Sequence, residues 1–556
     1  MRTDSVDLIV PVTQSPPSAE AVAGRSVSFV LPGFAVLGGL LLLAVLLQVL
    51  SGAYRAEFSA YPDEPAHYVT SLMLREYVTG PHPLSPLKFA EDYYHHYPKV
   101  AFGHWPPFFY IVQAFWMLLF SAARASVRLQ LAVTTAVLGF SLWHEARRWF
   151  GQVSNHLSGQ VAALLAAALL VCLPLVQEST DQEMAETLLA LCCFWSTIYF
   201  GRYLDSGKLA DALFFGLYFA LAVLTKGSGW LLVFVPVIAL LLTRKARLAL
   251  SRNFWLGLLL AGALCVPWQV ATLHSAERGW AGGSHPSTGY TLSAFAQFFV
   301  VTVSIVGPIL SVLVALGIVV TVVLPLFRSR VKTIPAVLFA LLVGDWVFHS
   351  LVPAGVEDRK MIMAVPALLY FLFAGGLWLA DFIPPRHRFV IWKRAGLAAL
   401  GAIVFFTTVF SVPHDSHYGY TEVARFVVSD PALQSASVLV SSGSIGEGLL
   451  ISEVAMRKPR PQLVILRSTK ELAHVDWAGG HYQSVYHDAP SLLQYLDHAQ
   501  VRGIVVDTYK GPGLFPHEEL VKQALKASQG RYRLRAQFAG RSDSGQPGQV
   551  QLYERQ

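Results

Sequence analysis

The chain has 556 residues, of which 54% are hydrophobic and only 14% are charged. Its mean hydropathy of +0.48 excludes an ordinary soluble protein and predicts a polytopic, mainly α-helical membrane protein. The net charge of +7 comes from Lys and Arg residues in short clusters between apolar runs. Because this is the pattern of cytoplasmic membrane loops, it does not indicate nucleic-acid binding. The partner that the composition predicts is the lipid bilayer.

The N-terminal region combines a polar tail with a retained anchor. Residues 1–28 are polar and predict a disordered cytoplasmic tail. The apolar run from Val30 to Leu50 is too long for the core of a signal peptide, so we expect it to be the first span. All four cysteines lie in apolar segments, and neither disulfides nor a Cys-ligated metal site is indicated.

Apolar segments of about twenty residues predict about eleven membrane spans. They cover residues 30–50, 127–146, 158–176, 187–203, 210–226, 228–243, 253–272, 298–327, 333–352, 361–381 and 395–412. The segment Pro106–Ala122 is also apolar, but every later loop would change sides if it crossed the bilayer. We therefore expect a re-entrant or interfacial helix there, with its aromatic side chains in the headgroup layer.

Loop charge assigns a side to each loop. When the basic clusters face the cytoplasm, the acidic loops all face outward, and these are residues 51–126, 177–186, 273–297 and 353–360. The N-terminus is then cytoplasmic, and an odd number of spans places the C-terminus outside. We expect the inner membrane of a bacterium, with a periplasmic C-terminal region.

The first outer loop begins with two adjacent acids between prolines, in Pro62-Asp63-Glu64-Pro65. Carboxylates so close to a membrane are costly unless they have a function. We interpret Asp63 as a general base, with Glu64 orienting it or the acceptor. A capping role for Asp63 is the alternative, because the same residues predict a helix over 63–78. Its apolar stripe, predicted to face the membrane, is Val69, Leu72, Met73 and Tyr77.

Histidines and aromatic residues in this loop are candidates for substrate contacts. Rings stack on the apolar face of a sugar, so His67, Tyr94 and Trp105 are assigned to substrate binding. Glu64 and His67 form an E-x-x-H step, which makes His67 a candidate metal ligand. His104, held beside a double proline, is a candidate for either a metal or a donor phosphate.

Three later positions complete the candidate site. Lys226 is the only charge between Ala212 and Leu242, a segment that we expect to form a short hairpin with Lys226 recessed near the depth of a lipid phosphate. A snorkelling lysine is the alternative. Arg359 is a cation on the side otherwise rich in acids, where it suits a lipid phosphate or a pair with Glu357 or Asp358. Asp181, in a short loop before a span, is assigned to substrate binding.

The composition changes after about residue 413, and residues 413–556 predict a small α/β domain. Its strands are expected at 437–440, 463–466, 503–506 and 550–553. The sequence Ser442-Gly443-Ser444-Ile445-Gly446-Glu447-Gly448 follows the first strand. It lacks the lysine of a phosphate-binding loop, so we interpret it as a turn.

Five motifs in order resemble the GT-C membrane glycosyltransferases, and most of all the aminoarabinose-transferase and protein O-mannosyltransferase group. They are Asp63-Glu64-Pro65-x-His67-Tyr68, Trp105-Pro106-Pro107-Phe108-Phe109-Tyr110, Asp181, Leu224-Thr225-Lys226-Gly227 and Glu357-Asp358-Arg359-Lys360. The resemblance covers residues 30–380 and implies a catalytic membrane domain over 29–412. Two departures are the His104-Trp105 step before the double proline and Lys360 where the family has Tyr.

The resemblance implies a transferase that uses a polyprenyl-phosphate-linked sugar, with Asp63 as the base. Lys226, Arg359 and His104 would bind the donor phosphate, and the acceptor would be a lipid, a glycan or a protein. Single displacement would invert the anomeric centre. No cofactor is required by the sequence, although a divalent metal is possible. A flippase or transporter of a lipid-linked substrate is the alternative, and a membrane scaffold for the C-terminal domain is a third.

Overall fold

The computed structural model describes residues 32–80, 85–101, 103–151, 156–280, 286–381, 412, 419–458, 463–475, 481–509, 515–541 and 546–556. The predicted tail 1–28 lies outside the described residues, as does the last predicted span except for its final residue.

The N-terminal two thirds of the described chain is almost entirely helical. Its helices are α1 Gly33–Ser51, α2 Glu64–Thr79, α3 Pro86–His96, α4 Phe108–Leu119, α5 Arg124–Gly151, α6 His156–Cys172, α7 Pro174–Asp181, α8 Glu186–Ser206, α9 Leu209–Thr225, α10 Phe234–Leu242, α11 Arg252–Trp280, α12 Thr288–Val306, α13 Pro308–Ile318, α14 Leu324–Arg328, α15 Thr333–Leu351 and α16 Val365–Asp381. Tighter 3₁₀ segments cover Gly227–Val233, Ala246–Leu250 and Asp358–Ala364, and a π-helical turn covers Val319–Val323.

Seven helical stretches of the described chain are long and apolar enough to cross a membrane, or eight if the bent pair α6–α7 is one span. The protein is thus a multi-pass membrane protein of the predicted class, but the predicted count of eleven is not confirmed. The helix α4 has 12 residues, so it rises about 18 Å and is too short to cross.

Two predicted spans are wrong in detail. The predicted span 298–327 is two helices, α12 and α13, that meet at Gly307 with φ 81°. Pro308 has no backbone N–H and Gly307 adopts a backbone conformation closed to most residues, so the helix breaks inside an unbroken apolar run. The predicted span 158–176 bends by 54° between α6 and α7. Hydropathy measures neither kind of break.

The segment around Lys226 forms the predicted hairpin. The helix α9 has 17 residues and rises about 25 Å, which is less than a hydrocarbon core of about 30 Å. After Lys226 the chain turns back through Gly227–Val233. A side chain at Gly229 would lie 2.4 Å from the backbone of Ala222, so glycine is needed for this close return.

The residues after 419 form the predicted α/β domain. Its helices are α17 Tyr420–Ser429, α18 Ser444–Arg457, α19 Ser468–Glu471, α20 Ala489–His498 and α21 Pro516–Ala527. Its strands are β1 Ser437–Ser441, β2 Val464–Arg467, β3 Ala473–His474, β4 Gln483–Ser484, β5 Val501–Asp507, β6 Tyr532–Arg541 and β7 Pro547–Arg555. Five of them form one sheet in the order β2-β1-β5-β7-β6, while β3 and β4 pair with each other.

Strand direction divides the main sheet into two parts. The strands β2, β1 and β5 are parallel, and β7 is antiparallel to both β5 and β6. The turn predicted over residues 442–448 is wrong in extent, because the helix α18 already begins at Ser444. Before it, Ser442 is hydrogen-bonded to Tyr420 and Asp507. The sequence did not predict β6, whose solvent-exposed residues give it no apolar run.

The first loop and the C-terminal domain share a hydrophobic core. Leu72 and Met73 of α2 pack with Leu450 of α18, so the apolar stripe of α2 faces this domain and not the membrane as predicted. The buried Glu57 carboxylate accepts hydrogen bonds from the backbone N–H groups of Tyr420, at 3.3 Å, and Thr421, at 2.6 Å. This carboxylate therefore satisfies free N–H groups at the start of α17.

Candidate functional site

Asp63 stands at the N-terminal end of α2, in the segment that joins α1 to the loop helices. It is half-buried, and its side chain makes no hydrogen bond or ion pair with any described residue. Burial raises the pKa of Asp63 above its usual range, and the charges of Arg359, Lys226 and Lys99 offset only part of this effect. The position thus has an uncommitted carboxylate with increased proton affinity.

The two predicted cations lie beside Asp63 and share one carboxylate. Glu186 Oε1, at the start of α8, lies 2.6 Å from Lys226 Nζ and 3.3 Å from Arg359 Nη1. In the sequence, nothing distinguishes Glu186 from the other acids of the outward loop 177–186. Because Lys226 follows α9 and Arg359 precedes α16, this ion cluster joins three helices of the bundle, α8, α9 and α16.

Arg359 makes a second set of contacts with the segment before Asp63. Its Nε lies 2.5 Å from Glu357 Oε2, and its guanidinium carbon lies 4.1 Å from the centre of the Tyr61 ring. The Tyr61 hydroxyl donates to Glu357 at 2.9 Å. The predicted alternative of a pair with Glu357 is therefore present, and it orients the arginine next to Asp63.

Glu64, predicted as a catalytic partner of Asp63, is fully buried. Its Oε2 lies 2.9 Å from Arg128 Nη1 and accepts from the backbone N–H of Glu183 at 2.7 Å. Its Oε1 accepts from the N–H groups of Ala60 and Tyr61. With both oxygens occupied, Glu64 fastens the start of α2 to α5 and to the segment after α7, and so positions Asp63.

Asp181, predicted to bind substrate, also belongs to this interior. The expected short loop is the helix α7, which turns Asp181 into the bundle with only 2% exposure. There it interacts electrostatically with Arg128 and Glu64. The substrate-binding role of Asp181 thus stays a prediction, for a side chain that is buried in the structure described.

His67 is a packed residue and not a free ligand. Its Nδ1 is hydrogen-bonded to the Tyr110 hydroxyl at 3.0 Å, and its ring centre lies 4.4 Å from that of Trp105. Burial and the neighbouring Lys226 lower the pKa of His67 to about 3, so the imidazole is neutral. Trp105 and the half-buried His104 have rings 4.8 Å apart in an edge-on contact. Together with Tyr110 they form one cluster of rings around His67.

The Tyr94 assignment and the metal candidates stay predictions, without a supporting contact among the described residues. Tyr94 is 42% exposed on α3, which packs on α2 and β2, and no described contact brings it to Asp63. For the metal candidates His67 and His104, the described chain contains no group of three His, Cys, Asp or Glu residues placed to hold an ion.

An acid–histidine pair inside the bundle contacts the segments that carry Lys226 and Arg359. It was not predicted from the sequence. Asp345 Oδ1 lies 2.9 Å from His349 Nδ1 on α15. Asp345 Oδ2 accepts from the N–H of Ala364, at the end of the 3₁₀ segment of Arg359, and His349 Nε2 lies 3.3 Å from Ser228 Oγ, close to Lys226. Ionisable residues within a span were the signal that could have found the pair.

Comparison with known proteins supports the fold. Residues 104–270 match the family model "Dolichyl-phosphate-mannose-protein mannosyltransferase", which is less than half of the chain. ArnT from Cupriavidus metallidurans, solved bound to undecaprenyl phosphate, is 14% identical with a TM-score of 0.56, over 94% of this chain and 98% of that one. The apo state of the same ArnT gives 16% identity, a TM-score of 0.55 and coverages of 93% and 98%.

A third solved structure agrees. The oligosaccharyltransferase AglB from Archaeoglobus fulgidus, in complex with an inhibitory peptide and a dolichol-phosphate, is 13% identical with a TM-score of 0.52, over 94% of this chain and 74% of that one. Proteins of curated function give no match. The protein has the GT-C fold of membrane glycosyltransferases, as the motif resemblance had predicted.

Proposed function

We propose that the protein is a glycosyltransferase that moves a sugar from a polyprenyl-phosphate donor to an acceptor hydroxyl, with Asp63 as the general base. The single observation that carries this proposal is the free Asp63 carboxylate beside the paired cations Lys226 and Arg359. The neighbours ArnT and AglB, solved with undecaprenyl phosphate and dolichol-phosphate, support a lipid phosphate as part of the donor.

The proposed reaction is a single displacement that inverts the anomeric centre. The acceptor oxygen attacks C1 of the sugar while Asp63 takes its proton, and the bond from C1 to the phosphate oxygen breaks. A positioned base of this kind contributes roughly 10²–10⁴-fold in rate. Lys226 and Arg359 stabilise the charge that develops on the leaving phosphate. In this scheme Asp63 is the residue that accepts a proton, and the two cations stabilise the leaving group.

The ion cluster presents cations that a phosphate can bind. Lys226, Arg359 and Lys360 pair with the carboxylates Glu186 and Glu357, and Asp63 beside them, unpaired among the described residues, is a third acid. Lys360 lies 3.6 Å from Glu357 and donates to the Ala354 carbonyl oxygen. We place this site at the outer face of a bacterial inner membrane, in line with the loop charges.

The test uses purified protein in nanodiscs and radiolabelled polyprenyl-phosphate sugars extracted from membranes. A transferase releases free polyprenyl phosphate, whereas a flippase or a scaffold leaves the donor intact. Asp63→Asn should reduce release by at least about 100-fold at unchanged thermal stability. The matched control is Asp92→Asn, the same change on the exposed face of α3. A fully active Asp63→Asn protein would refute the proposal.

A further inference from the structure

Lys99 lies where the first loop meets the C-terminal domain. A Cβ placed on Gly448 of α18 would lie 3.0 Å from Lys99 Cε and 2.9 Å from Pro65 Cγ. The stem of Lys99 and the proline two residues after Asp63 therefore both lie against Gly448, where any larger residue would force them to shift. Lys99 is thus held close to the base by the C-terminal domain.

The ammonium group of Lys99 has no counter-ion of its own. It makes no hydrogen bond or ion pair within the part of the chain that the structure describes, although it is half-buried. Nearby Glu447 is already occupied, because it lies 2.9 Å from Arg467 Nε and accepts from Ser468 Oγ and the N–H of Thr469. By contrast, the cations Lys226 and Arg359 share Glu186.

The surroundings of Lys99 carry further positive charge. Arg467, with Nη1 3.2 Å from the Pro98 carbonyl oxygen, and the exposed Lys470 both act electrostatically on Lys99, while Glu447 and Asp63 oppose them. A partly buried cation without a partner is unfavourable, and an anion that binds there recovers the lost interaction. The junction is therefore suited to a negatively charged ligand group.

Lys99 also belongs to a different part of the molecule from the other two cations. Lys226 and Arg359 lie at the ends of membrane helices, where a lipid phosphate can reach them from the bilayer. Lys99 lies between the first loop and the C-terminal domain, where a group outside the bilayer can approach Asp63. The two cationic positions thus suit two different substrates.

We propose that Lys99 is a specificity-determining residue that selects acceptors with a phosphate or carboxylate near the reacting hydroxyl. This inference rests on the proposed transferase function, since it assigns the acceptor side of that site.

The test compares two soluble probes, hexyl β-glucoside and hexyl β-glucoside 6-phosphate, by calorimetric binding to protein in nanodiscs. Wild type should bind the phosphorylated probe at least about tenfold more tightly, and Lys99→Met should lose this preference by about 10- to 100-fold, as expected for one charged hydrogen bond. Lys99→Arg should retain it. The control Lys88→Met removes an exposed lysine of the same loop and should change nothing.

Three results would overturn the inference: no preference in wild type, an unchanged preference in Lys99→Met, or an equal loss of undecaprenyl phosphate binding in that variant. Because the calorimetric test measures binding and needs no turnover, it can be interpreted even if the transferase assay shows no activity. If Lys99→Met does not fold, wild type is compared at pH 6.5 and 8.5. Burial and Arg467 lower the pKa of Lys99 to about 7, so the preference should fall at the higher pH although the phosphate gains charge.

Discussion

Removing the carboxylate that Lys226 and Arg359 share should weaken the empty protein and strengthen its binding of a lipid phosphate. In Glu186→Gln, both cations lose a partner at 2.6 and 3.3 Å. Loss of one member of a buried ion pair costs about 3–5 kcal/mol, and the cations here retain 23% and 18% side-chain exposure, so about 2 kcal/mol is expected. Since a bound phosphate replaces the missing charge, undecaprenyl phosphate should bind up to about 30-fold more tightly.

The assay is thermal unfolding followed by tryptophan fluorescence, with and without undecaprenyl phosphate. The variant should unfold at a lower temperature than wild type when empty and gain more from the ligand. The control is Glu422→Gln, which removes an exposed pair with Arg425 at 2.7 Å and should change stability by less than about 0.5 kcal/mol. Equal stabilisation of Glu186→Gln and wild type by the ligand would show that these cations do not meet the phosphate.

Three further predictions address the base and its supports. The value of kcat/KM should fall as the pH decreases through the pKa of Asp63, because a protonated carboxyl group accepts no further proton. Burial raises this pKa, so the fall should occur above the ordinary value of 3.8. A kcat/KM that is independent of pH down to 3.8 would contradict the prediction. Glu64→Gln and Arg128→Met should each lower the free energy of unfolding by about 3–5 kcal/mol, and the double variant by less than their sum; additive losses in denaturant would argue against the pairing. His349→Gln, which breaks the buried pair with Asp345, should raise the donor KM about three- to tenfold and also lower the free energy of unfolding by about 3–5 kcal/mol; an unchanged KM would remove its positioning role.

The sequence predicted the elements whose signals are local. Pro62 and the following acids marked the start of α2, and the alternation after residue 413 marked four of the five strands in the main sheet. Loop charge, together with the short hairpin around Lys226, also predicted that Asp63, Lys226 and Arg359 lie at one end of the bundle. Charge and periodicity are properties of the sequence itself, so they can be recognised without a structure.

Pair partners were not predictable in the same way. Glu64 and Asp63 are neighbours with the same side-chain chemistry. Arg128, 64 positions after Glu64, pairs with Glu64 and leaves the Asp63 carboxylate unpaired among the described residues. His67 suited a metal or a sugar until Tyr110 and Trp105 were found against its ring. Roles of this kind depend on contacts between distant segments, and a single sequence does not contain them.

The helix α2 contributes to both halves of the molecule, with Asp63 at its start and its apolar side chains in the core of the C-terminal domain. The domain cannot be exchanged as a module, because a graft that keeps the old α2 would present it with a mismatched surface. Natural or engineered changes of acceptor should therefore appear as matched substitutions on α2 and α18. A looser contact between these two helices would also displace Asp63, which lies within one turn of the contact between Pro65 and Gly448.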